Sequence, residues 1–169
     1  GQPATTETIT PDALIPFRVN EAQAKLALRG WFTQQKFEEQ PRVARGQGIY
    51  FPVWLFNMGG QITLRYELQT DRDTWVDMRD ARIVQQQDIL VPAIKRFSEA
   101  LQAVFQSYDL SALTPYEDFY LADWLAETYQ VSMSDASLDA RQKAFSEEKE
   151  RTILTIEGRF RDVKFSSAG

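Results

Sequence analysis

The most hydrophobic stretch of the chain, residues 48–70, predicts a β-hairpin around which the fold is organised. Residues 49–57 are apolar at odd and even positions alike, a pattern typical of a strand covered on both faces. The run Asn-Met-Gly-Gly at 57–60 tolerates positive φ, as a tight hairpin turn requires. The return strand then alternates between apolar and polar residues. Its predicted inner face consists of Ile62, Leu64, Tyr66 and Leu68.

Helical spacing predicts one helix before this hairpin and one after it. Asn20, with Gln23 three residues later, has the layout of a capping box in front of an apolar stripe that ends near residue 35. After the hairpin, two less regular strands are expected, and the polar residues 85–88 predict a loop within the second of them. Residues 93–108 then have the clearest helical stripe of the chain.

The second half of the chain predicts two more helices and a final strand. Residues 114–117 (Thr-Pro-Tyr-Glu) again have a capping-box layout, with proline at the first helical position, and predict a helix that ends near Tyr129. Ser132, with Asp135 three residues later, predicts the start of another helix. Residues 152–165 predict a closing strand. The apolar stripe of the last helix includes Ala136, Ala140 and Ala144.

The order of these elements indicates the fold class. Strands are grouped ahead of helices instead of alternating with them, which favours α+β with a mainly antiparallel sheet built on a central hairpin and packed by three to four helices. Residues 1–11 are Thr-rich and without periodicity, so we expect a linker or flexible N-terminus there. Residues 12–169 have the length of a single α+β domain.

The chain contains no cysteine and no histidine. This composition excludes disulfides, thiolate and imidazole metal ligands, and nucleophile pairs of the Ser-His or Cys-His type. No glycine-rich nucleotide loop is present either. We therefore predict no catalytic residues, no metal and no cofactor.

The net charge of the chain bears on which class of partner it can bind. Nineteen Lys and Arg against 24 Asp and Glu give a net charge of −5. An acidic balance opposes direct binding of nucleic acid, whose backbone is itself anionic. No run reaches the apolar length of a membrane span, and the first residues have no signal-peptide layout, so we expect a cytoplasmic protein. The abrupt beginning suggests a piece of a longer protein.

Three ordered blocks resemble a bacterial family. They read IPFRV at 15–19, GIYFPVWLF at 48–56 and TPYEDFYLADWLAETYQVS at 114–132. Together, from about Leu14 to Phe145, they are similar to the region after the zinc ribbon in uncharacterised bacterial TFIIB-type zinc-ribbon-containing proteins. The resemblance implies a central α+β domain that follows a cysteine-ligated ribbon in the parent protein. It carries over no catalytic residues, and residues 70–88 match no pattern of the family.

Aromatic residues are the strongest candidates for a ligand or partner surface. Tyrosine and tryptophan combine a large apolar body with a polar tip, which suits contact surfaces as well as cores. Most of these side chains follow the strand and helix periods and are expected in the core. The remainder predict a small groove where the hairpin meets the helix that begins at Thr114. The candidates are Tyr50, Trp54, Tyr66, Tyr116, Trp124 and Tyr129.

Asp123 and Glu127 form a second candidate site. Four residues apart on the predicted 114–129 helix, they share a face and could bind a divalent cation or act as general acid and base. A solvated helix face is the simpler interpretation of the same spacing.

Three functions follow from these patterns. The first is a non-catalytic scaffold or a module that binds a partner or ligand within a larger zinc-ribbon protein. The alternative is an enzyme that depends on carboxylates, with or without the assistance of a metal, centred on Asp123 and Glu127. The third is a nucleic-acid-associated domain, which the acidic charge opposes. We expect a protein partner, or other domains of the parent chain, to occupy the binding surface.

Overall fold

The computed structural model describes residues 9–35, 46–96, 99–156 and 162–168. It has the predicted α+β class, with mixed helices and a mainly antiparallel sheet built on a hairpin. The chain divides into two compact units. The first contains the residues up to Pro52 together with Ile94–Gln130, and the second contains Val53–Ala93 together with the residues from Val131 onward. The single domain expected over 12–169 stays a prediction. Of the linker predicted at residues 1–11, residues 1–8 lie outside the part of the chain that the structure describes.

Seven strands and three α-helices occur in the described ranges. Beside them lie two short 3-10 helices, Leu110–Ala112 and Asp118–Leu121. In chain order the elements are β1 (Ala13–Leu14), α1 (Glu21–Gln34), β2 (Ile49–Tyr50), β3 (Val53–Asp71), β4 (Thr74–Pro92), α2 (Glu99–Gln106), β5 (Thr114–Pro115), β6 (Leu125–Ala126), α3 (Met133–Ile156) and β7 (Asp162–Ala168). In the first unit β1 pairs antiparallel with β5, and β2 pairs parallel with β6.

The second unit is dominated by a hairpin of two 19-residue strands, β3 and β4. β7 pairs antiparallel with the other edge of β3, so the order in this sheet is β4-β3-β7. The turn lies at Arg72–Asp73, and the turn predicted at 57–60 is wrong. Gly59 and Gly60 are extended residues within β3, and neither has a left-handed φ. The reason is that one apolar face continues at even positions from Trp54 to Leu68, which favours a single uninterrupted strand.

A β-bulge replaces the loop predicted at 85–88. Phe56 is opposite Ile89 and Met58 is opposite Gln86, so two residues of β4 face the single residue Asn57. Asp88 takes up the extra length with φ of 60°, a region that aspartate tolerates better than most residues. Its backbone N–H donates to Asn57 Oδ1 at 2.9 Å. A side chain thus satisfies the amide that the bulge removes from the ladder.

The core of the second unit lies between α3 and one face of the hairpin. The buried residues of β3 are Ile62, Leu64, Tyr66 and Leu68, which confirms the predicted inner face. The prediction that residues 49–57 are covered on both faces is wrong. Leu55 is exposed on one face, while Trp54 and Phe56 on the other face pack with Val91 against α3. Trp54 Nε1 also donates to the carbonyl oxygen of Val131 at 2.9 Å.

The predicted helix starts have mixed outcomes. The capping box of α1 is confirmed, since Asn20 and Gln23 exchange two side-chain to backbone hydrogen bonds of 2.9 Å. Ser132 accepts from the backbone N–H of Asp135 at 3.1 Å in front of α3, as predicted. The described start of α2 is Glu99 rather than residue 93, and α3 includes 152–156, where a strand was predicted.

The helix predicted over 114–129 is wrong. β5 and β6 occupy its two ends, and only Asp118–Leu121 between them is a 3-10 helix. Strand partners take the backbone groups that a helix would need: Tyr116 N–H donates to Asp12 O at 3.0 Å, and Glu127 N–H donates to Tyr50 O at 2.9 Å. Tertiary pairing has overridden a local capping signal here. Among the helices in the described ranges, none has the length and apolar content that crossing a membrane requires.

Candidate functional site

An aromatic cluster in the first unit is the centre of the candidate site. The rings of Phe17 and Trp124 are stacked, with centroids 4.2 Å apart and an interplanar angle of 22°. Tyr50 meets Phe17 edge-on at 4.7 Å and 64°. Pairing between β2 and β6 explains this meeting, because it brings Tyr50 close to the residue just before β6. Three segments that are distant in sequence therefore build one aromatic cluster.

Gly48 is the residue that allows the stack to form against the backbone. A Cβ at this position would lie 2.7 Å from Trp124 Cε3 and 2.8 Å from the Phe17 Cζ atom. Side-chain carbons do not approach that closely, so any larger residue must displace one of the rings. Glycine is needed here for close approach of side chains, which is one of its established uses next to strands.

A groove of about 810 Å³ lies beside this stack, entirely within the first unit. Phe17 and Trp124 form its aromatic part, while residues of α1 and the preceding segment supply aliphatic and polar walls. A second depression of about 460 Å³, lined by Tyr50 and Tyr120 among others, shares Phe17 and Trp124 with this groove. Besides the two rings, the wall residues that bear on recognition are Val19, Ala24, Leu28, Glu21, Lys25 and Asp123.

The groove has an excess of negative charge. Lys25 Nζ lies 2.6 Å from Glu21 Oε1, one turn apart on α1, so these two charges neutralise each other. Asp123 lines the groove without an ion pair among the residues that the structure describes. An apolar aromatic surface next to one uncompensated carboxylate is complementary to a ligand that is both apolar and cationic.

The structure brings together two of the six predicted aromatic residues, Tyr50 and Trp124. Tyr116 and Tyr129 belong to the same unit but line neither depression. The Tyr116 hydroxyl donates to Asp118 Oδ1 at 3.0 Å, and this hydrogen bond raises the pKa of Tyr116. Burial raises the pKa of Tyr129, with a smaller contribution from Asp12.

The other two predicted aromatics, Trp54 and Tyr66, lie in the hairpin unit. Trp54 packs against the cluster of Val91 and the small residues of α3. Tyr66 is buried in β3, and this burial, with a smaller effect of the Asp80 carboxylate, raises its pKa. Both therefore have the core role that their strand periodicity indicated.

The carboxylate pair does not have the geometry that was predicted for it. Asp123 lies in a turn and Glu127 follows β6, so they do not share a helical face. Both side chains are exposed, and Asp123 lines the groove whereas Glu127 does not. Across the described residues, no three Asp or Glu side chains are grouped closely enough to hold a metal ion. The separation of the two residues leaves Asp123 as the one with a place in the site.

Phe17 and Gly48 were missed as site residues. Both stand inside sequence blocks that carried the family resemblance, Phe17 in IPFRV and Gly48 at the head of GIYFPVWLF. A glycine directly in front of an aromatic strand signals close approach of another group, which was the available clue. Lys25 and Leu28 could be placed on a helix but not beside Trp124, because the relevant contacts join distant parts of the chain.

Comparison with known proteins finds a distant relative. The chain is 24% identical over 155 residues to the uncharacterized protein YdjG of Bacillus subtilis strain 168. The similarity covers 82% of this chain and 45% of YdjG, so the chain corresponds to less than half of that protein's length. No family model matches the sequence. No solved structure matches it either.

Proposed function

We propose that this chain is a non-catalytic module of a larger protein and that it binds a protein partner in the groove beside Phe17 and Trp124. The observation that carries the proposal is the stack seated on Gly48, next to a groove of about 810 Å³. Rings fixed by close packing provide a preorganised contact surface, which lowers the entropic cost of binding. Tryptophan and tyrosine are also the residues that most often dominate binding energy at interfaces.

The lining of the groove supports a particular kind of partner. Val19, Ala24 and Leu28 offer contacts to apolar side chains, whereas Asp123 supplies a negative charge that the described residues leave uncompensated. A peptide segment in which an apolar side chain stands next to lysine or arginine matches both features. The cation can also lie over the Trp124 ring, which is the most favourable aromatic partner for a positive charge.

The larger protein is part of the same proposal. Similarity to less than half of YdjG is compatible with one module among several. The ordered blocks of sequence that resemble the region after a zinc ribbon suggest that the parent carries such a ribbon. Ribbon thiolates need a reducing compartment, so we place the parent protein in the cytoplasm.

The two other candidate functions have less support. A carboxylate-dependent enzyme was inferred from a shared helical face of Asp123 and Glu127, and that face does not exist. Binding of nucleic acid is opposed by the net charge of −5. No specific observation in the groove favours either function over binding of a peptide.

Three synthetic octapeptides test the proposal: alternating Leu-Lys, alternating Leu-Glu and alternating Ser-Lys. Each is titrated into the ¹⁵N-labelled chain while the indole N–H resonance of Trp124 is followed by NMR. We expect Leu-Lys to shift this resonance saturably, and the other two peptides to bind at least about 10-fold more weakly, because each lacks one of the two complementary features.

Matched variants locate the effect. Asp123→Asn is expected to weaken binding of Leu-Lys by about 3- to 10-fold, in the range of a single partly exposed charge contact. Glu127→Gln is the control, because Glu127 is also exposed and lies outside the groove. Equal affinity for Leu-Lys and Leu-Glu, or equal effects of the two variants, would contradict the proposal.

A further inference from the structure

β4 is an outer strand of the hairpin sheet, and its second edge has no neighbouring strand in the described part of the chain. The strand is 19 residues long, and its one proline stands at its last position, Pro92. A free edge presents backbone N–H and C=O groups that a further strand can pair with. Native proteins commonly protect such an edge. The charges of β4 near the hairpin turn indicate which kind of strand can pair with this edge.

Like charges are opposite each other on the face of the hairpin that α3 does not cover. Arg65 is paired with Arg79, and Glu67 is paired with Asp77. Such pairs are unfavourable when they are directly opposite. Away from its partner in the hairpin, Glu67 is paired with Lys164 of β7. On the corresponding side of Asp77 and Arg79 lies the free edge of β4. Neither makes an ion pair within the described residues.

We infer that a second copy of this chain pairs antiparallel with β4 about a two-fold axis at Met78. In an antiparallel pair, directly opposite residues lie on the same face of the sheet. With the axis at Met78, residues 74–82 pair, and Asp77 of each copy is opposite the partner's Arg79. The interface supplies each of these charges with the opposite charge that the hairpin lacks.

Neighbouring registers are less favourable. An axis at Asp77 or at Asp80 places two carboxylates opposite each other, and an axis at Arg79 places two guanidinium groups together. An axis at Ala81 pairs Asp80 with Arg82, but Arg82 already has Glu148 at 3.0 Å within its own copy. The Met78 register is the one that uses the two uncompensated charges.

Exposed apolar side chains support the same register. On the α3 side of β4, Val76 is 43% exposed and Met78 is 40% exposed. The axis brings the two Met78 side chains together and places Val76 within the paired segment. α3 makes its polar side-chain contacts to β4 at Arg82 and Leu90, at the end of that segment or beyond it. Pairing of the two β4 strands joins the two three-stranded sheets into one continuous six-stranded sheet.

Charge exchange tests the register by sedimentation equilibrium of the 169-residue chain. We expect a dimer, and we expect Asp77→Arg or Arg79→Asp alone to raise its dissociation constant by about 10- to 30-fold, because two attractive cross-strand pairs become repulsive. The double variant Asp77→Arg/Arg79→Asp restores complementarity and is expected to return within about threefold of the original value.

The same variants separate this interface from a purely structural role. Within one copy, each single change replaces a like-charge pair of the hairpin with an opposite-charge pair, so the hairpin itself gains stability. Weaker dimerisation together with an unchanged or higher melting temperature supports the proposal. A monomeric chain at 100 µM (about the concentration at which weak dimers form), unaffected dimerisation of the single variants, or a double variant that stays monomeric would each overturn it.

A crosslink tests the position of the axis, since the chain contains no cysteine of its own. Met78→Cys places two thiols on the axis, at the Cα separation of about 4.5 to 5.5 Å that a disulfide tolerates. Val76→Cys is the matched control on the same face, because its two copies are about 13 Å apart in this register. Rapid disulfide formation by Met78→Cys alone supports the axis, and equal or faster crosslinking of Val76→Cys would refute it.

Discussion

The buried ion pair between Arg82 of β4 and Glu148 of α3 leads to a quantitative prediction. Arg82 Nε lies 3.0 Å from Glu148 Oε2, and Arg151 Nη1 lies 3.0 Å from the Oε1 atom of Glu148. These are ion contacts without the alignment of hydrogen bonds, so the carboxylate is only partly compensated. The Arg82 guanidinium also donates to Glu148 O at 3.0 Å and to the Thr152 hydroxyl.

Exposure decides which partner is the more costly to remove. The Glu148 side chain is 1% exposed and the Arg82 side chain is 29% exposed. Arg82→Met leaves a wholly buried carboxylate with Arg151 alone, and we expect a loss of about 3–5 kcal/mol in the free energy of unfolding. Glu148→Leu leaves an arginine that retains some water and its bond to Thr152, so we expect a smaller loss of about 1–3 kcal/mol.

The double variant Arg82→Met/Glu148→Leu is expected to unfold within about 1 kcal/mol of the original chain, or to be more stable, because both desolvated charges are gone. Urea denaturation followed by circular dichroism measures all three values, and the dependence on urea should stay constant. Arg151→Ala is the control. Its side chain is 65% exposed, and we expect a change of at most about 1 kcal/mol. If Glu148→Leu costs more than Arg82→Met, or if the double variant loses the sum of both, the reasoning from burial is wrong.

Two further predictions concern the groove and alkaline pH. Gly48→Ala is expected to lower the free energy of unfolding by about 1–3 kcal/mol and to alter the near-UV circular dichroism of the Phe17–Trp124 stack. Gly30→Ala in α1 is the control, because its Cβ would lie in open space, and it should raise the free energy of unfolding by about 0.4–1 kcal/mol. Equal effects of the two variants in urea denaturation would contradict the packing argument. Burial raises the pKa of Tyr129 above its ordinary value of 10.0, so the folded state holds this proton longer than the unfolded state. The contribution of Tyr129 to the free energy of unfolding is therefore fully present below pH 10 and is lost as pH rises through the folded pKa. Tyr129→Phe should make the urea midpoint decline less steeply between pH 9 and about pH 11.5.

Local signals in the sequence predicted the elements that depend on local physics. The alternation over Ile62–Leu68 indicates which face of a strand is buried. That face can be predicted without knowing which element packs against it. The capping box at Asn20 and the side-chain cap at Ser132 are formed by neighbours in sequence, and both occur in the structure. The α+β class followed from the order of these elements.

Features that depend on long-range pairing could not be predicted in this way. The two glycines after Met58 resemble a turn, yet the continued apolar face and the bulge at Asp88 keep the hairpin intact. Residues 114–117 have the chemistry of a helix start, but β1 takes that backbone into a strand. The groove needs Phe17, Gly48 and Trp124 from three segments, and no spacing along the chain brings them together.

The row of buried residues on α3 has a geometric consequence for the hairpin. Its members recur every fourth residue, and each step of four exceeds a full helical turn by about 40°. From the first to the fifth member the row therefore winds by about 160° around the helix axis. A flat ribbon could not follow such a path along its whole length, whereas the right-handed twist that two-stranded ribbons favour turns successive parts of a ribbon toward it. Insertion of a single residue into α3 would rotate every later member away from this path. The row consists of Ala136, Ala140, Ala144, Glu148 and Thr152.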